Sequence, residues 1–404
     1  MDKKMKILAY DIPNTLNYGS MMMAENYMYY YSMKKGKAEF LVITPRPKET
    51  KERLSKATCQ KVSVKTIRSS DVIGRTFFEK ILCLLTGNSI KRFIKEEKID
   101  EVVVFGGDTY SEDYLIIDPI FNLLQFLHYE RCNVPVKMIG QTIGPFKSWR
   151  KLVFRALLSK VSVIYARDPI TYEYLTKELK MRNVKLSADL AFLPLAKEIL
   201  EGDENDEKWK LFSDDYATLV PSGLIWRYGK EKDRRAYVEF LVDICKYIIN
   251  ELKYKLVLLP HVVTENDKFN DLLLARDLYI YLVRNGFKEE DFTVVKDILL
   301  PYQARQILGG SRFVITGRMH AAISAFEQQV PAISLAYSRK YHGIIGEYFG
   351  MKDFIVDVRD VIWSKAKEIV IDSIKEVERN YFKIVEKIQE NVRKMQKKLE
   401  TVFD

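Results

Sequence analysis

Basic side chains follow several apolar runs in the second half of the chain, where predicted strands end. Arg318 and His320 stand in the stretch ITGRMHAAISAF (315–326), in which an apolar run gives way at once to a helix-like pattern. His261 and Lys340 each follow another apolar run. Guanidinium, imidazole and ammonium groups bind phosphate and carboxylate oxygens well. This distribution therefore favours an anionic small-molecule ligand.

His320 itself permits more than one interpretation. A lone histidine is more often structural than catalytic. At the first turn of a predicted helix, the helix end favours the neutral imidazole, whereas a bound phosphate favours the protonated one. A group poised between these states can act as a general acid or base. The pattern is thus typical of a proton donor, of a phosphate ligand and of a packed histidine.

The first half of the chain has smaller residues after its predicted strands. Asn17 and Gly19 lie in the turn after the first strand, where free backbone N–H groups favour an anion or a sugar. An ordinary capped turn explains these two residues equally well. After a later strand, Gly106 and Gly107 let the backbone approach a ligand, and Asp108 offers a carboxylate to hydroxyl groups.

Two more polar residues follow strands in this half. Gln141 lies in a glycine-bounded loop and can donate or accept a hydrogen bond. Arg167 directly follows an apolar run and precedes an Asp-Pro helix start. Its planar guanidinium suits a phosphate or a carboxylate, although a surface ion pair with Asp168 explains it equally well.

Other site types lack their sequence signatures. No G-K-[ST] follows the paired glycines, and no G-x-G-x-x-G follows the first strand, which disfavours a P-loop and a Rossmann dinucleotide site. Clustered Asp, Glu or His ligands are missing from the strand ends, so no metal site is predicted. Neither a basic helix nor a zinc finger is present, which disfavours nucleic acid as a partner.

Composition predicts a folded, soluble protein. The 404 residues are 47% apolar, which is ample for two domains. A net charge of +10 fits an anionic partner, but the charge is spread along the chain and so favours a lysine-rich surface. The four cysteines form no C-x-x-C pair, and no signal peptide or run of 18 apolar residues is found. A cytoplasmic location is the expectation.

Strand-like runs alternate with helix-period segments in both halves, which predicts two doubly wound, Rossmann-like α/β domains. The run at 101–107 is almost wholly apolar, as in a strand buried on both faces of a parallel sheet. The acid-rich stretch 197–210 reads as a linker. The predicted division is an N-terminal domain over 1–196, a linker region over 197–214, a C-terminal domain over 215–363 and a C-terminal helix over 364–404.

The final helix carries one narrow apolar stripe among Lys and Glu residues. The stripe predicts a helix that docks on the body of the protein. A partner helix or an interfacial membrane contact is the alternative. Few Trp and Phe residues lie in the stripe, which disfavours the membrane version.

Several segments, in order along most of the chain, resemble the polysaccharide pyruvyl transferase family. The most specific is TGRMHAAISAFEQQVPAISLAYSRKYHG (316–343), which looks like the family's G-x-R-[LM]-H turn, apolar helix and Tyr-x-x-Lys element. The strand end FGGDTYSEDY (105–114) has fewer glycines than is usual in the family. The other matching segments are NYGSMMM (17–23), GQTIGPF (140–146), ARDPITYEYL (166–175) and ADLAF (188–192).

The resemblance implies transfer of the pyruvyl group of phosphoenolpyruvate to two hydroxyls of a sugar, giving a ketal. It implies a GT-B-type pair of domains, with acceptor side first and donor side second, and a C-terminal helix that returns to the first domain. Arg167, Arg318 and Lys340 would offset the donor's charge. His320 would be the general acid, and Asp108 a base or a hydroxyl-positioning group.

No metal or nucleotide cofactor is required by this scheme. The implied partners are phosphoenolpyruvate and a sugar or glycan of a cell-surface polysaccharide or its precursor. Lipid linkage of the acceptor, peripheral contact with the inner face of the membrane and homo-oligomerisation stay open.

Two rival functions fit the same pattern. A GT-B glycosyltransferase would use the turn and helix at 316–327 to hold a nucleotide sugar. A non-enzymatic glycan-binding or scaffold protein would use the C-terminal helix for assembly. The second is disfavoured, because packing alone does not call for four basic residues at strand ends.

Overall fold

The computed structural model of the protein divides into two compact units. Unit 1 comprises residues 1–15, 20–190 and 395–404, and unit 2 comprises 16–19 and 191–394. The structure describes residues 4–12, 14–111, 117–201, 211–213, 215–265 and 270–404.

Unit 1 is built on a parallel sheet of seven strands in the order β3-β2-β1-β4-β5-β6-β7. The central strand β4 is buried along its whole length, as its apolar sequence predicts. The strands are β1 (Lys6–Tyr10), β2 (Glu39–Ile43), β3 (Ser63–Ile67), β4 (Glu101–Phe105), β5 (Val136–Gln141), β6 (Val163–Ala166) and β7 (Val184–Leu186).

The helices of unit 1 connect these parallel strands. Helix α1 begins at Tyr18, so that Tyr18 and Gly19 lie in its first turn. The helices are α1 (Tyr18–Lys35), α2 (Pro47–Ala57), α3 (Ser70–Ile73), α4 (Phe77–Thr86), α5 (Asn88–Glu97), α6 (Ile117–Arg131), α7 (Arg150–Leu158) and α8 (Pro169–Glu173).

Unit 2 repeats the architecture with a parallel sheet of six strands in the order β10-β9-β8-β11-β12-β13. Strands β8 and β12 are buried throughout. The strands are β8 (Tyr216–Val220), β9 (Lys255–Leu258), β10 (Phe292–Val294), β11 (Val314–Thr316), β12 (Ala332–Ala336) and β13 (Ile355–Asp357).

The helices of unit 2 include one within the predicted linker. Residues 196–201 form a helix in which the Glu198 carboxylate accepts a hydrogen bond from Leu195 N at 2.6 Å, and 202–210 lie outside the described residues. The helices are α9 (Ala196–Glu201), α10 (Ile225–Tyr228), α11 (Arg234–Lys246), α12 (Asp271–Arg284), α13 (Pro301–Gly309), α14 (Met319–Glu327) and α15 (Arg339–Tyr341).

The C-terminal helix α16 (Trp363–Leu399) confirms the predicted long helix. Its backbone departs from helical geometry at Asn380, where φ is −119°. Most of the predicted stripe is buried, and Phe403 beyond the helix stacks on Tyr27 with ring centroids 5.7 Å apart. Burial of this stripe explains why one side of α16 is apolar. No described helix is long and apolar enough to cross a membrane.

Candidate active site

The turn between β11 and α14 is held by its own backbone and by small neighbours. Thr316 Oγ1 accepts a hydrogen bond from Arg318 N at 2.8 Å and donates one to Arg318 O at 3.0 Å. A Cβ on Gly317 would lie 2.7 Å from Ile225 and 2.8 Å from Ser222, two residues that follow β8. The turn therefore needs glycine at 317, and its geometry fixes where Arg318 leaves the backbone.

The Arg318 side chain is buried and paired with a carboxylate. Its Nε and Nη2 donate to the two oxygens of Asp271, at 3.0 and 2.7 Å. Asp271 is the first residue of α12 and also accepts from Val262 N at 2.9 Å. Burial alone would lower the pKa of Arg318, and the paired carboxylate raises it above its usual value. Arg318 is thus a fixed cation whose orientation is set by Asp271.

His320 lies in the first turn of α14, packed against the backbone of Gly19. A Cβ placed on Gly19 would lie 2.1 Å from His320 Nδ1, far inside van der Waals contact. Glycine at 19 is therefore explained by the imidazole beside it. This contact joins two residues that the sequence assigned to different domains.

His261 is the second histidine at this site. Its side chain is buried, and its ring lies edge-on to Tyr18 with centroids 5.3 Å apart. Burial lowers its pKa well below the usual value, and the neighbouring charges of His320 and Arg318 lower it further. His261 is therefore neutral at physiological pH and can accept or donate a hydrogen bond without carrying charge.

Residues 16–19 join unit 2 through backbone pairing with the loop after β9. Asn17 forms an antiparallel bridge with Val262, and Tyr18 N donates to His261 O at 3.2 Å. The segment that leads from β1 into α1 thus brings Asn17 and Gly19 to the histidines. We use the name unit 2 cluster for five residues of this region, namely Gly19, His261, Asp271, Arg318 and His320.

Lys340 follows β12, the strand next to β11 in the unit 2 sheet. Its Nζ donates to Tyr337 OH at 3.1 Å and lies 5.1 Å from that ring's centroid. Tyr341 OH donates to Gly317 O at 2.9 Å, which ties α15 to the G-R-M-H turn. His261 follows β9, Arg318 and His320 follow β11, and Lys340 follows β12, so all four lie at the carboxyl edge of the unit 2 sheet.

A cavity of ≈ 280 Å³ lies in unit 2 beside the start of α12. It is lined by Trp226, Arg227, Arg234 and Asn270, of which Asn270 directly precedes Asp271. The Arg227 guanidinium lies 4.7 Å from the Trp226 ring centroid. An indole face and two guanidinium groups suit a small anionic or sugar ligand.

Arg167 belongs to unit 1 and has a buried partner there. Its Nη1 donates to Asp189 Oδ2 at 2.8 Å, and its Nε donates to Thr142 Oγ1 at 2.8 Å. The surface pair with Asp168 considered from the sequence was wrong, because Arg167 is buried and Asp168 instead caps α8 through Thr171 N. Arg167 is not part of the unit 2 cluster.

The glycine-rich end of β4 packs against the neighbouring strand. A Cβ on Gly106 would lie 1.7 Å from Gly140 O, whereas one on Gly107 would meet only ordinary contacts. Gln141 is buried and donates from Nε2 to Val104 O at 3.1 Å. Gly106 and Gln141 thus serve the sheet, while Asp108 lies partly exposed beyond it.

Asp11 is a candidate that sequence reasoning missed. It directly follows β1 in unit 1, its backbone φ is +64°, and burial raises the pKa of its carboxyl to about 7. Carboxyls with raised pKa values at the carboxyl ends of strands are candidate acid–base groups. The sequence offered one signal, an acidic residue that ends an otherwise apolar strand.

We expect Asp11→Asn to stabilise the protein more at pH 8 than at pH 5. The folded-state pKa is raised from 3.8 to about 7, so the protonated carboxyl favours folding and that contribution is lost as pH rises through about 7. Asparagine stays neutral throughout. Urea unfolding at both pH values measures the difference, with the exposed Asp353→Asn as the control. Equal effects of Asp11→Asn at the two pH values would refute the assignment.

Gly19→Ala should lower both stability and activity. The added Cβ would overlap the imidazole of His320, so the ring or the α1 start must shift, at a cost of about 1–3 kcal/mol. Gly346→Ala is the matched control, since its Cβ would lie 3.3 Å from the flexible end of Ile355 and 3.7 Å or more from Lys352. Thermal unfolding of both variants checks this. Equal midpoints for the two would show that Gly19 does not contact His320.

Among the described residues, no three His, Cys, Asp or Glu side chains are grouped so that they could hold a metal ion. The cluster offers cations and imidazoles rather than carboxylate ligands, and its one carboxylate is already bound by Arg318. The described arrangement is therefore suited to binding an anion.

Comparison with known sequences decides the family. A sequence profile described as "Polysaccharide pyruvyl transferase" matches residues 17–339, which is most of the chain and includes the unit 2 cluster. This protein belongs to the polysaccharide pyruvyl transferase family. The chain is also similar to the amylovoran biosynthesis protein AmsJ of Erwinia amylovora. The two are 24% identical over 338 residues, which cover 79% of this chain and 76% of that protein.

Solved structures place this pyruvyl transferase family member in a known fold class. The UDP-GlcNAc 2-epimerase of Methanocaldococcus jannaschii superposes with a TM-score of 0.59 at 16% identity, covering 92% of each chain. The UDP-GlcNAc 2-epimerase of Neisseria meningitidis, bound to UDP-GlcNAc, gives a TM-score of 0.60 at 11% identity over 98% of this chain and 100% of that one. Such likenesses show the fold alone. With the two parallel sheets and α16, they confirm the predicted class of two doubly wound domains of the GT-B type.

Proposed function

We propose that the protein transfers the pyruvyl group of phosphoenolpyruvate to two hydroxyls of a sugar, forming a ketal. The observation that carries the proposal is the meeting of His261, Arg318 and His320 at the carboxyl edge of the unit 2 sheet, within the family region. Phosphoenolpyruvate has a phosphate and a carboxylate, and a fixed guanidinium with two imidazoles matches both.

Arg318 would bind the donor from a fixed position. Its bidentate contact with Asp271 holds the guanidinium plane before any ligand arrives, which reduces the reorganisation needed on binding. Lys340, beside Tyr337, would add a second cation. The start of α14 would contribute backbone N–H groups and the positive end of its helix dipole.

His320 would supply the proton in the first step. Protonation of the donor's methylene carbon leaves an oxocarbenium-like centre, to which one sugar hydroxyl adds while losing its proton. The C–O bond to phosphate then breaks, and phosphate leaves with a proton. The second hydroxyl adds at the same carbon and loses its proton, which completes the ketal. Neutral His261, next to His320, would add no positive charge beside the proposed proton donor.

The acceptor would be a sugar of a polysaccharide or of its precursor. The name of the amylovoran biosynthesis relative points in this direction. Asp108 and Asp11, each at the end of a unit 1 strand, are the groups we assign to sugar hydroxyls. The proposed scheme requires neither a metal ion nor a nucleotide cofactor.

Ligand-dependent thermal unfolding tests the choice of donor. Phosphoenolpyruvate should raise the unfolding midpoint of the protein, and this shift should be absent from Arg318→Met. UDP-, GDP- and CMP-sugars form the comparison panel, because a GT-B glycosyltransferase would be stabilised by one of them. Stabilisation by a nucleotide sugar alone would overturn the proposal.

A further inference from the structure

Unit 1 exposes two groups of large apolar side chains, one on α4 and one at the start of α7, where Trp149 directly precedes the helix. Exposed apolar residues scattered singly are normal, but a contiguous group marks an interaction site. The exposed fractions are 76% for Phe77, 74% for Phe78, 48% for Leu82, 76% for Leu85, 62% for Trp149 and 67% for Leu152.

Helix α4 is well formed although its apolar side faces outward. Thr76 Oγ1 accepts from Glu79 N at 3.2 Å, and the Glu79 carboxylate accepts from Thr76 N at 2.9 Å, a reciprocal cap that starts the helix. Gly87, with φ at +69°, ends it. Within α4 only Cys83 is buried. The outward apolar residues therefore do not serve the core of unit 1.

The two exposed groups lie on the same face of the sheet. Cys83 of α4, Phe126 of α6 and Phe154 of α7 belong to one hydrophobic core cluster. Helix α6 packs against both α4 and α7. The apolar side chains of α4 and α7 thus flank α6 on a single side of unit 1.

Positive charge surrounds these apolar groups. Residues 147–160 contain five Lys or Arg and no Asp or Glu, and residues 75–95 contain five Lys or Arg and one Glu. Ion pairs of Lys151 with Glu178 at 3.2 Å and of Arg92 with Glu96 at 3.9 Å compensate two of these charges. Trp, Phe and Leu bordered by Lys and Arg are the combination that binds the interface of an anionic bilayer.

We propose that this α4–α7 surface docks on an anionic lipid bilayer. The surface is defined as the six exposed apolar side chains above with the Lys and Arg residues of 75–95 and 147–160. A second copy of the chain is the less suitable occupant, because a twofold contact would place the same basic segments against each other. The proposal does not depend on which donor the protein uses.

Vesicle co-sedimentation of the full chain tests the proposal. Binding is expected with vesicles of equal parts phosphatidylglycerol and phosphatidylcholine, and not with phosphatidylcholine alone. Raising the salt concentration should weaken binding, because it screens the exposed charges. The variants Phe78→Ser/Leu85→Ser and Trp149→Ser/Leu152→Ser should each lower binding by roughly tenfold or more, since each removes two large apolar groups.

Matched control variants distinguish binding through the α4–α7 surface from nonspecific binding to vesicles. Phe382→Ser removes an exposed aromatic group from α16 and should leave vesicle binding unchanged, as its side chain lies outside the α4–α7 surface. Arg155→Glu/Lys160→Glu should weaken binding, whereas Lys383→Glu/Lys397→Glu on α16 should have a much smaller effect.

Three outcomes would overturn the proposal. They are no binding to phosphatidylglycerol vesicles, equal binding to both lipid compositions, and variants of α4 and α7 that bind as the unchanged protein does. A dimer that Phe78→Ser/Leu85→Ser converts to a monomer, without vesicle binding, would assign the surface to a second copy instead. Transfer to a water-soluble acceptor should be unaffected by all these variants, so failure here is distinguishable from failure of the proposed reaction.

Discussion

Replacing His320 with alanine is expected to lower pyruvyl transfer by about 10²–10⁴-fold, the range typical of losing a general acid. The imidazole lies against Gly19 and beside neutral His261, so no other described histidine at the site can take over its charge. The loss should appear in kcat, because protonation of the methylene carbon precedes release of phosphate. Phosphate release with phosphoenolpyruvate and acceptor measures it.

One further variant separates the roles of His320. His320→Gln keeps a hydrogen-bond donor but cannot deliver a proton, so it should be as inactive as His320→Ala. A mainly raised KM with kcat preserved in His320→Gln would instead identify a phosphate ligand. His342→Ala is the control, because His342 is bound to Asp357 at 2.7 Å and should not affect transfer.

Replacing Arg318 with methionine should lower the free energy of unfolding by about 3–5 kcal/mol, more than any other substitution proposed for this site. The change leaves the buried Asp271 carboxylate without its bidentate partner. Urea unfolding of unliganded protein measures the effect. Arg235→Met is the matched control, since its pair with Glu239 is exposed to solvent and should contribute far less to stability.

The double variant Asp271→Leu/Arg318→Met tests the physical reason for that loss. Removing both charges takes away the uncompensated carboxylate, so the double variant should regain much of the stability lost in Arg318→Met. It should still lack transfer activity, because the fixed cation is gone. If the double variant lost as much stability as the sum of the losses in Asp271→Leu and Arg318→Met, the two charges would not be coupled as an ion pair.

Fold class followed readily from the sequence, because buried parallel strands such as β4 read as continuous apolar runs. Strand β3 was not predicted. Its residues alternate Ser63, Val64 and Lys65, and it pairs only with β2 at the sheet edge. The short β13 escaped prediction too, since three residues give no period to detect.

The basic residues after the strands of unit 2 could be identified from the sequence, but the residues that contact them could not. Arg318, His320 and His261 were found because each follows an apolar run. That Asp271 holds Arg318, and that Gly19 accommodates His320, depends on contacts between distant parts of the chain. The contact of Tyr18 OH, which accepts from Leu299 N at 3.0 Å, likewise joins distant parts of the chain.

Mass spectrometry of a glycan panel incubated with phosphoenolpyruvate tests whether the protein transfers a pyruvyl group to a sugar. The panel should contain galactose and N-acetylmannosamine glycans, and phosphate release is followed in the same reactions. One glycan is expected to gain the mass of pyruvic acid less one water, with one phosphate released per ketal and no product from His320→Ala. Transfer of a hexose from a nucleotide sugar, with phosphoenolpyruvate unused, would contradict it.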